Sequence, residues 1–114
     1  MGDSRLSRAA TDFISNQANT VVVSAAVVWE VAIKAQLGKL SLPLPADEFM
    51  SSRIRANHFA TIGISLRHAA RTFHLSLLQR DPFDRILVAQ AQIENIPLIT
   101  ADQAIAQDGV PIIW

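Results

Sequence analysis

The stretch DPFDRILVAQAQIENIPLITAD, residues 81–102, decides the fold. Asp81 offers a capping carboxylate, and Pro82 takes the first helical position with its φ already set for a helix. Asp84 follows at the third position, where a negative charge meets the positive end of the helix dipole. Onward to Asn95 the run is apolar on most sides, which predicts a deeply packed helix. Residues 97–100 then read as a short strand, and Asp102 begins another short helix.

The same alternation continues in both directions. After this segment, Gly109 ends a turn and residues 110–114 form a last strand. Before it, Ser65 caps a helix whose inner face is expected to be Leu66, Ala69, Ala70 and Phe73, and residues 61–64 form a strand. Pro45 opens a helix that turns Phe49, Met50 and Ile54 inward, after a connector at residues 40–45. Residues 27–37 form a helix with two apolar stripes, Val28, Val31, Ala32 and Ala35 on one and Trp29, Ile33 and Leu37 on the other, ended by Gly38. Residues 20–24, TVVVS, form a β-branched run without polar alternation, which suits a strand buried on both faces. The first helix carries Leu6, Ala9, Ala10, Phe13 and Ile14 on one face, with Asp3 or Ser4 as its cap and Asn16 and Asn19 as stop signals. Strands separated by helices imply the α/β class, a parallel sheet covered by helices through right-handed crossovers, in one domain over residues 1–114.

Composition narrows the functional classes. The chain has 114 residues, half of them hydrophobic, with ten basic and ten acidic side chains and no cysteine. That excludes a disulfide scaffold, a thiolate zinc site and a cysteine nucleophile. No apolar run approaches the ~18 residues of a membrane span, and the start lacks the apolar core of a signal peptide. A cytoplasmic domain without membrane association is the expectation. A net charge of zero excludes a globally basic nucleic-acid binder, though not a local basic rim.

In open parallel sheets ligands gather beyond the carboxyl ends of the strands. Glu30 follows the first strand by about one helical turn, Asp102 follows the third, and Asp84 lies in the first turn of the buried helix. Three carboxylates near one edge make a hard oxygen donor set suited to Mg²⁺ or Mn²⁺, which can activate water and neutralise a phosphate. The expected chemistry is phosphodiester hydrolysis. Each acid also has a structural reading: Asp84 against the helix dipole, Asp102 as an N-cap, and Glu30 in an i,i+4 pair with Lys34. Ser24 and Thr100, at strand ends, either orient such acids or satisfy local backbone groups. Arg80 and Arg85 flank the DPFD segment and either contact an RNA backbone or solvate the helix. His58, His68 and His74 show no metal-ligand spacing and fit surface or capping roles. Trp29 and Trp114 are read as core or edge packing.

The segments VSAAVVWEVAIKAQLGKL, RDPFDRILVAQA and PLITAD, with the ending VPIIW, resemble those of PIN-domain proteins, and among them the VapC-type toxins of type II toxin–antitoxin systems. The resemblance runs from Arg5 onward. It implies a three-layer α/β/α domain whose acids bind Mg²⁺ or Mn²⁺ and cleave RNA, silenced by a VapB-like antitoxin. Carried over by motif, Glu30, Asp84 and Asp102 are the catalytic and metal-holding acids, Asp81 is the helix cap, and Thr100 supports Asp102. PIN-domain proteins usually open with a strand ending in an Asp-Thr-His-like motif, which supplies a further acid. That motif is not found here, so the expectation is an N-terminally truncated domain without its central strand, from a natural loss or a misassigned start. Removing such a strand strands its neighbours' backbone groups, which points to a homodimer or a swapped oligomer. The rival expectation is a catalytically impaired PIN domain that serves only in dimerisation or antitoxin binding.

Overall fold

Caps set where the helices begin and end. In a computed structural model that describes residues 7–75, 81–101 and 103–114, the order is α1 (Arg8–Ser15), β1 (Val22–Ser24), α2 (Ala25–Gln36), α3 (Ala46–Ala56), β2 (Ala60–Ile62), α4 (Leu66–Arg71), α5 (Pro82–Glu94), β3 (Leu98–Ile99) and β4 (Ile112–Ile113). Single 3₁₀ segments follow α4 (Thr72–His74) and β3 (Gln103–Asp108). Ser7 caps α1 through the Ala10 amide; the expected caps Asp3 and Ser4 lie outside the described residues. Ser24 caps α2 and Ser65 caps α4. Asp81 Oδ1 accepts the Asp84 amide at 2.8 Å, with Pro82 opening α5 as its sequence dictates. At the end of α2, Gly38 at φ +74 sends its N–H to the Ala35 carbonyl, and Lys39 bonds back to Lys34. That paired closure needs the left-handed conformation glycine adopts without strain.

The chain folds as two compact units, Thr20–Ile64 and Met1–Asn19 with Ser65–Trp114. In the first, β1 and β2 pair in parallel, with Val22 opposite Ala60 and Ser24 opposite Ile62. Helices α2 and α3 pack together, and Val31, Phe49 and Met50 form the core with Val23, Val27, Val28, Leu40 and Leu42 around it. Only one of the two stripes on α2 is buried this way. Trp29 is 53% exposed and Leu37 63%, so Trp29 is not the core residue that was one of its expected readings.

In the second unit β3 and β4 pair in parallel, Leu98 opposite Ile112 and Ile99 opposite Ile113. The middle of α5 is its keel: Val88 and Ala89 are fully buried, and Gln90 and Ala91 nearly so. Leu75, Val88, Ala91, Ile105 and Val110 make the core, backed by Ile96, Leu98 and Ile112. Asn95, at φ 56, ends α5, and the Ile96 amide returns to the Ala91 carbonyl.

The α/β class, the parallel pairing and the element order agree with the sequence reading, and the strands are shorter than expected. Two faces differ. On α1, Ala10 is buried while Ala9 is exposed. On α4 the expected inner face is the outer one: Leu66 is 91% exposed and Phe73 85%, with Ala69 and Ala70 also exposed. The reason is polar. Helix α4 is held to α5 by His68 to Glu94 at 3.0 Å and Arg71 to Gln92 at 2.8 Å, and the following 3₁₀ segment by Arg85 to the Thr72 carbonyl at 2.8 Å. Among the described residues, no helix is long and apolar enough to cross a membrane.

Candidate functional site

The acidic residues reach their positions through short, rigid connections. No loop separates β1 from α2: Ser24 ends the strand and caps the helix, its Oγ accepting the Ala26 amide at 3.0 Å. Glu30 therefore projects from the second turn of a helix fixed directly to the carboxyl end of β1. Its Oε2 lies 2.9 Å from Lys34 Nζ, and its side chain is 24% exposed. The i,i+4 pair read from the sequence is thus formed, and the half-buried carboxylate keeps a counter-charge beside it.

Asp84 occupies the third position of α5 and is partly buried. Its backbone amide, not its carboxylate, serves the Asp81 cap, so cap and candidate ligand are separate functions in one turn. Arg85, next along, donates from Nη2 to the Thr72 carbonyl, which gives this guanidinium a structural duty whatever else it contacts. Three residues separate α5 from β3, and the two elements pack together. A helix and strand joined so closely run in opposite senses, which turns the amino end of α5 and the carboxyl end of β3 toward one edge. Thr100 stands there, its amide bonded to the Ile113 carbonyl at 3.2 Å.

Ser24 and Glu30 belong to the first unit, and Asp84, Arg85 and Thr100 to the second. Within its own unit, Ser24 caps the helix that carries Glu30, and Asp84 and Arg85 are neighbours in the first turn of α5. Asp102 and Arg80 lie outside the described residues. Among the described residues no group of three or more His, Asp or Glu side chains forms a metal-holding cluster. Each of Glu30, Asp84 and Asp102 offers carboxylate oxygen, the donor type that Mg²⁺ and Mn²⁺ prefer.

Sequence reading placed His68 in a capping or surface role. It caps, and it is also buried, at 3% exposure. Ser65 Oγ accepts the His68 amide at 3.1 Å while His68 Nδ1 accepts the Ser65 amide at 3.0 Å. Gln90 Nε2 also approaches Nδ1, at 3.4 Å. With Nδ1 taking N–H groups, Nε2 carries the proton and donates to Glu94. Imidazole replaces the usual Glu or Gln of a capping box, so the Ser-x-x-His spacing was the signal available. His58 and His74 are exposed.

Comparison with known proteins adds two findings. The PIN domain family model matches residues 1–109. A protein called Ribonuclease VapC16, from Mycobacterium tuberculosis (strain ATCC 25618 / H37Rv), is 35% identical over 52 residues, which are 46% of this chain and 37% of that protein. The chain thus spans little more than a third of the length of this curated relative.

Proposed function

The chain belongs to the PIN-domain family, and from that premise we propose that it is a Mg²⁺- or Mn²⁺-dependent endoribonuclease of VapC type, the toxin of a toxin–antitoxin pair. The family match over residues 1–109 carries the reading. It runs across both compact units, and we read them as one PIN-like domain. The similarity to a protein named as a ribonuclease supports the same activity.

Glu30, Asp84 and Asp102 would hold the metal. When bound, a divalent ion supplies water activation and charge neutralisation at a phosphate. The chain's own groups do the rest. The first turn of α5 presents the positive end of its helix dipole, and Asp84 stands in that turn. Ser24 fixes the start of α2 and so the direction of Glu30. Thr100 sets the end of β3 from which Asp102 follows. Arg85 and Arg80 would meet the RNA backbone, a contact that positions without choosing sequence. The partner is a VapB-like antitoxin, the location cytoplasmic, and the assembly a homodimer or a swapped oligomer.

The test is cleavage of a structured RNA by the purified chain in Mn²⁺, alongside Asp84→Asn. The wild-type chain is expected to cleave and the variant not to; cleavage that persists in the variant would remove Asp84 from the site. Absence of cleavage in both favours a second reading, a binding module without catalysis, which the exposed apolar face of α4 supports.

A further inference from the structure

Among the described residues His68 is the one titratable side chain that is buried, at 3% exposure, and the nuclease reading gives it no part. Both ring nitrogens are engaged. Nδ1 accepts the Ser65 amide at 3.0 Å, with Gln90 Nε2 approaching at 3.4 Å, and Nε2 donates to Glu94 Oε2 at 3.0 Å. A neutral imidazole has one donor and one acceptor, whereas an imidazolium has two donors. A second proton therefore enters at Nδ1, where the Ser65 N–H already points. The two hydrogens cannot share that space, so protonation breaks this half of the capping box.

The surroundings decide what replaces it. Helix α5 and the 3₁₀ segment pack on α4, and of the charged groups that these three elements carry, Glu94 is the one bonded to the ring. Asp84 and Arg85 lie at the opposite end of α5 from Glu94, and Arg85 is given to the Thr72 carbonyl. His74 and Arg67 are exposed, as is Arg71, which bonds Gln92. Gln90 is the neutral neighbour at Nδ1. Turning its amide over puts an oxygen acceptor where a donor stood. A protonated ring then has an acceptor on α5 at each nitrogen, Glu94 at Nε2 and Gln90 at Nδ1. Ser65 is an exposed residue, so water can take its amide.

We propose that His68 is a proton-operated latch: the neutral ring closes the start of α4 through the Ser65 amide, and the protonated ring yields that amide to water and bonds to α5 alone. Its place in the chain gives the latch an effect. The chain passes from one compact unit to the other between Ile64 and Ser65, so the amide released is the first beyond that crossing. Acid loosens this connecting stretch, while Ser65 Oγ keeps the His68 amide and α4 stays attached to α5. The inference stands apart from the nuclease reading, since no residue of the latch belongs to the candidate metal site.

NMR on the full chain tests it, following the ring nitrogens of His68 and amide exchange from about pH 8 to about pH 5. At the alkaline end the ring is expected to carry its proton on Nε2. Through the ring's titration the protection factor of the Ser65 amide is expected to fall about fivefold or more, the worth of one neutral hydrogen bond. That of Ala69, whose amide bonds the Ser65 carbonyl, is expected to hold. His68→Gln keeps an acceptor for the Ser65 amide and does not titrate, so its Ser65 protection is expected to stay level over the same range. Gln90→Leu removes the second acceptor on α5 and is expected to move the ring's titration to lower pH. A proton on Nδ1 at the alkaline end, level Ser65 protection in the wild-type chain, or an equal fall in His68→Gln overturns the proposal. So does a ring titration that Gln90→Leu leaves in place, or a fall of the same size at Ala69, which would mean that α4 melts as a whole.

Discussion

Asp81 and Asp84 show at the residue scale how one turn separates stability from chemistry. The Asp81 carboxylate accepts the Asp84 amide, so Asp81→Ala removes a cap worth about 1 kcal/mol; urea unfolding should show a lower midpoint at unchanged slope. Asp84→Asn keeps that hydrogen bond, because it runs to the backbone, and is expected to abolish cleavage. His68 is a second such case. His68→Ala removes a buried side chain, half of a capping box and the bond to Glu94 together, and should cost about 2–4 kcal/mol in denaturant unfolding. His68→Gln restores an ordinary capping-box acceptor and is expected to recover about half of that loss; no recovery would show that the ring's bond to Glu94, not the cap, sets the cost. Lys34 beside Glu30 is milder, an i,i+4 pair worth about 0.2–0.5 kcal/mol.

At the element scale, two glycines give a matched pair. Gly38 at φ +74 has nothing within 4 Å of where a Cβ would stand, and neither has Gly63, whose φ is not positive. Gly38→Ala should cost about 1 kcal/mol from backbone strain alone, whereas Gly63→Ala should be neutral or stabilising by about 0.4–1 kcal/mol. Thermal melts of the two variants, shifting in opposite directions or with only one moving, check the comparison. Elements also show where sequence reading reaches its limit. The Asp-Pro-x-Asp start of α5 and the Ser65 cap of α4 were legible, since capping is local chemistry. The face of α4 was read with the right members and the wrong direction. Periodicity reports which side chains share a face; the direction was decided by His68, Arg71 and Arg85, whose partners come from the other helix or from across the packing. Likewise the acids are proposed from their places after strands and at a helix start, and spacing along the chain encodes no tertiary placement for them.

The two units set the behaviour of the whole molecule. Their cores are separate lists of residues, Val31, Phe49 and Met50 in one and Leu75, Val88, Ala91, Ile105 and Val110 in the other. Val88→Ala should therefore cost about 2–3 kcal/mol through lost burial and a residual cavity, with hydrogen exchange accelerating first in α5 and β3. The two parallel ladders differ in a way that concerns time. Leu98 finds Ile112 across a short 3₁₀ connection, whereas Val22 must find Ala60 across two helices. Each doubling of loop length adds only about 0.6 kcal/mol of closure entropy, but local pairings form faster than distant ones. The Leu98 and Thr100 amides, bonded to Pro111 and Ile113, should gain protection in a refolding pulse before the Ala60 amide bonded to Val21. Refolding would then build the carboxyl-terminal half first, giving a chain made from its amino end a folding order opposite to its order of synthesis.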